Sequence, residues 1–140
     1  MTIIAATLEL SACQLQYCVT PTPNKASNYY TLINPEKEKH LRLYSPAMKK
    51  LVENLPAAMA RAREMEFEDL PDNHVETIEV LNKRGPFETT LFVSMYEGSA
   101  FVFARLFSTK DNVKRPTTLG VRFSLSDDLA AIQEFYDENQ

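Results

Sequence analysis

Two stretches of the chain repeat one order of residue types, and this repeat constrains the fold more than any other feature of the sequence. Residues 40–55 read HLRLYSPAMKKLVENL, and residues 120–136 read GVRFSLSDDLAAIQEFY. In each stretch a short apolar segment with one arginine, Arg42 or Arg122, precedes a serine and then apolar residues at helical spacing. Each half of the chain is therefore predicted to end in an amphipathic helix.

The sequence also predicts where these helices begin and end. Ser45 and Ser126 stand where an N-cap serine would accept a backbone hydrogen bond. Pro46 suits the first helical position. The first helix is predicted to continue to about Glu66, with a kink or an interruption at Pro56.

Segments with the composition of β-strands precede each helix. Glu97-Gly98 predicts a tight hairpin turn, residues 110–118 a long basic loop, and residues 20–26 its counterpart in the first half. The sequence thus predicts an α+β fold in a single compact domain that consists of two ββββα repeats, residues 1–66 and 67–140. Each repeat is predicted to be an antiparallel four-stranded sheet covered by one helix. The predicted strands are residues 2–10, 13–19, 27–33, 40–44, 75–83, 89–96, 99–107 and 119–125.

The stretch YEGSAFVFARLF, from Tyr96 to Phe107, is unusually rich in aromatic rings for one strand. Because neighbouring strand side chains point to opposite faces, its small aliphatic residues are predicted to face a helix. The other face can be a second hydrophobic interface or a platform on which nucleobases stack. The helix-facing set is Ala100, Val102, Ala104 and Leu106; the opposite set is Phe101, Phe103, Arg105 and Phe107, with Phe92 and Tyr96 from the preceding strand.

Short motifs in the second half carry a family resemblance. An aromatic residue and a glycine lie at a hairpin, an arginine precedes an aromatic residue by two positions, and a proline lies four residues before a glycine that opens the last strand. Over about residues 87–136 the chain resembles the single-stranded DNA-binding domain of the transcriptional positive-cofactor-four family. The residues that carry the resemblance are Tyr96, Gly98, Arg105, Phe107, Pro116 and Gly120.

The resemblance implies a ββββα unit that pairs with a second one, so that the curved sheets form a groove for a single strand. The Whirly and PUR nucleic-acid-binding proteins are similar in their unit, and PUR proteins hold two units in one chain. Carried over by position, Tyr96 would stack on a base and Arg105 would contact the strand.

Further aromatic and basic residues complete the candidate nucleic-acid site. The loop at residues 110–115 is interpreted either as a solvated loop or as a mobile arm that clamps phosphates. Arg42 and Arg122 alternate with apolar neighbours, which predicts that they point away from the helix-facing side. For the phenylalanines, packing against the other repeat or a second subunit is the alternative. The full candidate set is Tyr96, Arg105, Phe107, Phe92, Phe101, Phe103, Lys110, Lys114, Arg115, Arg122, Tyr29, Tyr30 and Arg42.

Charge and composition narrow the function classes. The net charge is -4, with 8 Lys plus Arg against 6 Asp plus Glu in residues 1–66 and 7 against 13 in residues 67–140, which argues against binding nucleic acid by bulk charge. The two cysteines and two histidines have no metal-site spacing, and reduced thiols are expected. Without a membrane-length apolar run or a basic signal-peptide flank, an intracellular location is expected, cytoplasmic or nuclear.

The leading hypothesis is a sequence-tolerant single-stranded nucleic-acid-binding protein that prefers DNA to RNA and serves replication, recombination or transcription. The sequence contains no phosphate loop, nucleophile elbow or acid-base motif, so an enzyme and a cofactor are not expected. The rival is a protein-interaction module or inhibitor that uses the same fold and its acidic second half to bind a protein. The repeats pair either within one chain, as a monomeric pseudo-dimer, or across a homodimer.

Overall fold

A computed structural model describes residues 2–21, 24–124 and 128–140. Within these residues the chain is α+β, with two antiparallel four-stranded sheets in which the strands follow chain order, and two α-helices. The first half contains β1 (Ile3–Glu9), β2 (Gln14–Val19), a 3-10 turn (Lys25–Ser27), β3 (Tyr29–Asn34), β4 (Lys39–Tyr44) and α1 (Ser45–Met65). The second half contains β5 (Val75–Arg84), β6 (Phe87–Tyr96), β7 (Ser99–Lys110), β8 (Val113–Phe123) and α2 (Asp128–Glu138).

Two-residue turns join the strands of the second sheet. The predicted turn at Glu97-Gly98 is confirmed, and both of its residues have positive φ, 50° and 82°. The prediction of a long loop over residues 110–118 is wrong, because Asp111 and Asn112 make an equally tight turn with φ of 55° and 64°. Asp and Asn tolerate this left-handed conformation, so β7 and β8 continue to the very end of the hairpin.

The second sheet is covered mainly by α1 from the first half, whereas the first sheet contacts both helices, α1 on β3 and β4 and α2 on β1. The helix α1 packs on β5, β6 and β7, and α2 packs on β1. The ring of Tyr30, in β3, lies 6.3 Å from the ring of Phe135 and 5.8 Å from that of Tyr136, both in α2. Each half therefore has the predicted order of four strands and one helix, but the two halves share one core cluster, which contains buried side chains from both sheets and both helices.

The helix α1 begins one residue earlier than predicted and is not interrupted. Its N-cap is Tyr44, which makes no side-chain capping bond, so the prediction that Ser45 caps the helix is wrong. Pro46 lies in the first turn, and Pro56 lies within a helix that continues to Met65. The predicted cap at Ser126 lies outside the described residues. Of the predicted apolar stripe of α1, Met48, Leu51 and Leu55 are buried and Val52 is partly buried; the buried side continues with Ala58, Met59, Ala62 and Met65.

A buried carboxylate and a buried thiol lie where the halves meet. One oxygen of Asp128, at the start of α2, accepts hydrogen bonds from the Ser11 amide at 3.3 Å and its hydroxyl at 3.1 Å, and the other accepts from the Ser124 amide at 3.2 Å. Burial, with the charge of Asp128, raises the pKa of Cys13 to about 12. Cys13 and Cys18 are both free and buried, so the Cys13 thiol stays protonated at neutral pH. None of the helices in the described ranges is long and apolar enough to cross a membrane.

An ion-pair cluster fastens α1 to the second sheet. The guanidinium of Arg61 donates two hydrogen bonds of 2.7 Å to the carboxylate of Glu76 in β5 and also contacts Glu68. The ring Nε2 of His74 lies 2.7 Å from the same Glu76 carboxylate. The hydrogen bonds with Arg61 and, to a smaller extent, with His74 lower the pKa of Glu76 to about 2.

This pKa shift predicts a pH-dependent part of the stability. A carboxylate whose pKa is lower in the folded state stabilises the fold above its unfolded pKa, here 4.5, and loses that contribution as the pH falls toward 2. We expect the urea concentration at the unfolding midpoint to fall as the pH is lowered from 4.5 toward 2. In the Glu76→Gln variant this fall should be smaller, because the contribution of the Glu76 carboxylate is absent at every pH. Equal pH dependence of the two proteins would show that this ion pair does not contribute.

Candidate functional site

The outer face of the second sheet, turned away from α1, carries a cluster of aromatic rings. The predicted alternation is confirmed, because Ala100, Val102 and Ala104 are at most 3 % exposed on the helix side, and Leu106 is partly buried against the core. We call the opposite surface the aromatic face; it comprises Tyr96, Phe92, Phe101, Phe103 and Phe107, with Arg105, Arg122 and Lys114 around them.

The rings differ in accessibility. Phe92 is 8 % exposed and lies at the centre, stacked on Phe103 at 5.3 Å between ring centroids and edge-on to Phe107 at 5.6 Å. Phe101, Phe103 and Phe107 are half-buried, whereas Tyr96 is 58 % exposed at the hairpin end of the face. Phe92 is therefore a support for the other rings, and a flat ligand reaches Tyr96, Phe101 and Phe103 more readily.

Cations lie over the rings of this face. The guanidinium carbon of Arg122 is 5.0 Å from the centroid of Phe101, and the ammonium of Lys114 is 5.0 Å from that of Phe107. Both distances are within the range of cation–π attraction. Lys114 also forms an ion pair with Glu88. The hydrogen bond from Lys114, and to a smaller extent the one from Thr90, lowers the pKa of the Glu88 carboxylate. Arg122 is exposed and has no carboxylate partner among the described ion pairs, so it is available to an anion.

Arg105, which is predicted to contact a bound strand, also donates a hydrogen bond within the sheet. Its Nη1 donates a 2.9 Å hydrogen bond to the backbone oxygen of Thr117, at a bulge where the pairing of β8 skips from Gly120 to Pro116. A Cβ atom at Gly120 would lie 2.9 Å from Cγ and 3.0 Å from Cζ of Arg105. The glycine therefore leaves the space in which the guanidinium lies flat over β8, and Arg105 supports the bulge.

We expect Gly120→Ala to displace Arg105 and to destabilise the protein. The new methyl group would meet the inner part of the side chain, Cβ and Cγ, which moves less easily than its far end. Overpacking of this kind costs about 1–3 kcal/mol, measurable by urea unfolding. Thr118→Ala, an exposed position on the same strand, is the matched control with little expected effect. Equal stability of Gly120→Ala and the unmutated protein would contradict the role given to this glycine.

Three neighbouring depressions meet at Arg122. They have volumes of about 420, 330 and 460 Å³, and Arg122 lines all three, while Phe101 and Phe103 each line two. The first depression reaches the β1–β2 turn at Ser11-Ala12 and the β3–β4 turn at Pro35-Glu36 of the first sheet, whose strands β3 and β4 lie against β8. The sequence pattern did not predict a contribution from these turns, since no local signal in the first half identifies which residues adjoin β8.

The predicted residues of the first sheet separate into two groups. The guanidinium of Arg42 lies 4.0 Å from the ring centroid of Tyr29, on the face of the sheet away from the core, and the direction predicted for Arg42 and Arg122 is confirmed. Tyr30 is 1 % exposed, and burial raises the pKa of its hydroxyl. The prediction that Tyr30 stacks on a base is therefore wrong, because its ring lies in the core against α2.

The three cations of the predicted loop lie at the end of the β7–β8 hairpin and not on one arm. Lys114 is on the aromatic face over Phe107. Lys110 and Arg115 are on the helix-side face, since Arg115 pairs with Ser108, the neighbour of Phe107, and Lys110 lies two positions beyond Ser108. The interpretation of this segment as a long loop is wrong, because all of its residues except the turn residues Asp111 and Asn112 belong to paired strands.

In the parts of the chain that the structure describes, no three His, Cys, Asp or Glu side chains are grouped so as to hold a metal ion. The arrangement that remains is one of accessible rings and cations on a sheet face. Comparisons with known protein families, with curated proteins and with solved structures find no match to this chain.

Proposed function

We propose that the protein binds single-stranded nucleic acid, DNA in preference to RNA, on the aromatic face of the second sheet. The observation that carries the proposal is the grouping of Tyr96, Phe101 and Phe103 around the exposed cation of Arg122. Each base that stacks on an aromatic side chain contributes about 1–3 kcal/mol, and stacking is independent of base identity. Binding on such a face is sequence-tolerant and needs no enzyme chemistry or cofactor.

The local charge of the aromatic face also supports the proposal. The strands of this face carry four cations, Lys83, Arg105, Lys114 and Arg122, and one acid, Glu88, which pairs in register with Lys83. The strands are thus cationic although the chain as a whole carries -4, whereas the carboxylates of Glu9, Glu36, Glu66 and Glu97 line the depressions around Arg122. Phosphates next to the stacked bases would meet favourable charge here.

Preference for single strands follows from the same geometry. In a duplex the two faces of an internal base are already covered by its neighbours, whereas an unpaired base can leave its stack for a protein ring. The resemblance to the positive-cofactor-four family, with Tyr96 as a stacking residue, points to the same ligand. We also propose that this binding serves replication, recombination or transcription.

A titration of labelled oligonucleotides tests the proposal. We expect the anisotropy of a strand of about 20 nucleotides to rise on addition of the protein at low salt, and much less for the corresponding duplex. The affinity should fall as salt increases, by about 0.7 in the logarithmic slope for each phosphate contacted. Absence of binding to the single strand at low salt would refute the proposal.

One observation favours a second candidate, a protein-interaction module without nucleic-acid affinity. Carboxylates line the depressions around Arg122: Glu9 and Glu36 in one, Glu66 in the next, and Glu97 in the third. These charges repel phosphates and suit a cationic protein partner. This alternative predicts no change in oligonucleotide anisotropy and one protein partner bound in fixed stoichiometry.

A further inference from the structure

The second sheet has an end at which both of its outer hairpins turn. The β5–β6 hairpin turns at Gly85-Pro86, and the β7–β8 hairpin turns at Asp111-Asn112. The amide of Thr109 donates a 2.8 Å hydrogen bond to the carbonyl of Pro86, so the two turns are joined. This end is a continuous piece of sheet and not two separate loops.

Strand register defines what this end presents on its helix side. Arg84 pairs with Phe87, Phe87 with Ser108, and Ser108 with Arg115, which places these side chains in one row across four strands. Lys110 and Val113 form the next row. Because Phe107 belongs to the aromatic face, its neighbour Ser108 and the whole row lie on the opposite face. We call this surface the distal basic face: Arg84, Phe87, Lys110, Val113 and Arg115.

The distal basic face is open to solvent and combines charge with apolar surface. Phe87 is 47 % exposed and Val113 is 45 % exposed, so α1 does not cover this end of the sheet. Within the described residues Arg84, Lys110 and Arg115 form no ion pair, whereas Lys114 on the opposite face is paired with Glu88. Three cations without an ion pair thus surround two exposed apolar side chains, and of the described residues Asp111 at the hairpin turn is the one carboxylate that lines the depression of Lys110, Val113 and Arg115.

We propose that the distal basic face binds an acidic peptide segment that carries apolar residues between its carboxylates. Arg84 and Arg115 stand three strands apart, about 14 Å at ordinary strand spacing, with Phe87 between them. An extended peptide can place an apolar residue on Phe87 and carboxylates at both arginines, and arginine favours such paired contacts with carboxylates. A base-stacking site would need several rings close together, as on the aromatic face; this face has one ring. The site is independent of the proposed nucleic-acid site and lies on the other side of the sheet.

The test uses the whole protein and three labelled probes. The first is an unstructured peptide of about 12 residues that repeats Glu-Ser-Leu-Ser, so that Glu and Leu lie on one side of the extended chain. The others are the same peptide with Ser in place of Leu, and a single strand of about 20 nucleotides. The variant Arg84→Glu with Arg115→Glu should weaken binding of the Leu peptide at least about tenfold, and Phe87→Ser about fivefold. Lys49→Glu with Lys50→Glu, on the exposed side of α1, makes the same change in net charge and should have less than about a twofold effect.

The outcomes separate the proposal from its rivals. Tighter binding of the Leu peptide than of the Ser peptide, lost in both distal variants but retained in the α1 control, is the expected result. Equal affinity for the two peptides would show attraction by charge alone and would overturn the proposal. Two other results would assign this face to the nucleic acid and overturn the proposal as well. One is competition between the Leu peptide and the oligonucleotide; the other is loss of oligonucleotide binding in the distal variants without any peptide binding. Failure of oligonucleotide binding alone would leave the peptide result intact and count only against the proposed function.

Discussion

Replacement of Tyr30 by alanine is expected to lower the free energy of unfolding by about 3–5 kcal/mol, as for other buried aromatic residues. The ring is 1 % exposed and contacts the rings of Tyr17, Phe135 and Tyr136 at 4.9, 6.3 and 5.8 Å. Its loss would leave a cavity between β3 and α2, the contact through which the second half of the chain covers the first sheet. Urea unfolding followed by circular dichroism measures the effect.

Tyr30→Phe is the control for this prediction. The hydroxyl of Tyr30 lies 3.5 Å from the carbonyl of Asn139, a long hydrogen bond, so its removal should cost less than about 1 kcal/mol. Oligonucleotide binding should be unchanged in Tyr30→Phe, since the ring cannot reach a ligand. A stable Tyr30→Ala protein with weakened oligonucleotide binding would instead place Tyr30 in the binding site.

The second large effect is expected for Phe101→Leu combined with Arg122→Gln. The leucine keeps most of the apolar contact but removes the ring on which a base would stack. The glutamine removes the cation that lies 5.0 Å from the ring of Phe101. Loss of one stacked base costs about 1–3 kcal/mol, which is roughly a 5- to 150-fold rise in Kd. Loss of one phosphate contact should also reduce the logarithmic salt slope by about 0.7.

A matched variant controls for charge and hydrophobicity. Phe67→Leu with Lys50→Gln makes the same two kinds of change at positions that are exposed, Phe67 at 93 %, and outside the aromatic face. This control should bind the oligonucleotide as the unmutated protein does. If both proteins unfold at similar urea concentrations, equal affinities of the control and of the Phe101/Arg122 variant would show that the aromatic face does not bind the oligonucleotide.

The strands and the faces of the second sheet were predictable because their pattern is local. In β7, small aliphatic residues alternate strictly with aromatic and basic ones, so the helix-facing side follows from sequence. In β3 the pattern fails, since Leu32 and Ile33 are both apolar and Tyr29 and Tyr30 are both aromatic. Period two then does not say which tyrosine points inward, and only the packing of α2 places Tyr30 in the core.

Other features depend on contacts between distant parts of the chain. The apolar stripe of α1 predicts a buried helix but not the sheet that it covers, and the packing of α1 mainly on the sheet of the other half was therefore not predictable. The role of Gly120 requires knowledge that Arg105 lies across β8. The sequence does not predict the length of the β7–β8 hairpin, because Pro116 and several polar residues are typical of a loop, although an edge strand such as β8 accommodates a proline.

The most direct test of stacking on the aromatic face uses a single tryptophan. The chain contains no tryptophan, so Tyr96→Trp introduces one indole at the most exposed ring of this face. We expect the fluorescence of this variant to be strongly quenched when a single-stranded oligonucleotide binds, as an indole that stacks on a base would be. Phe67→Trp, away from the face, should bind the same strand without comparable quenching. Binding of the oligonucleotide with equal quenching at both positions, or with none at Tyr96→Trp, would contradict the account.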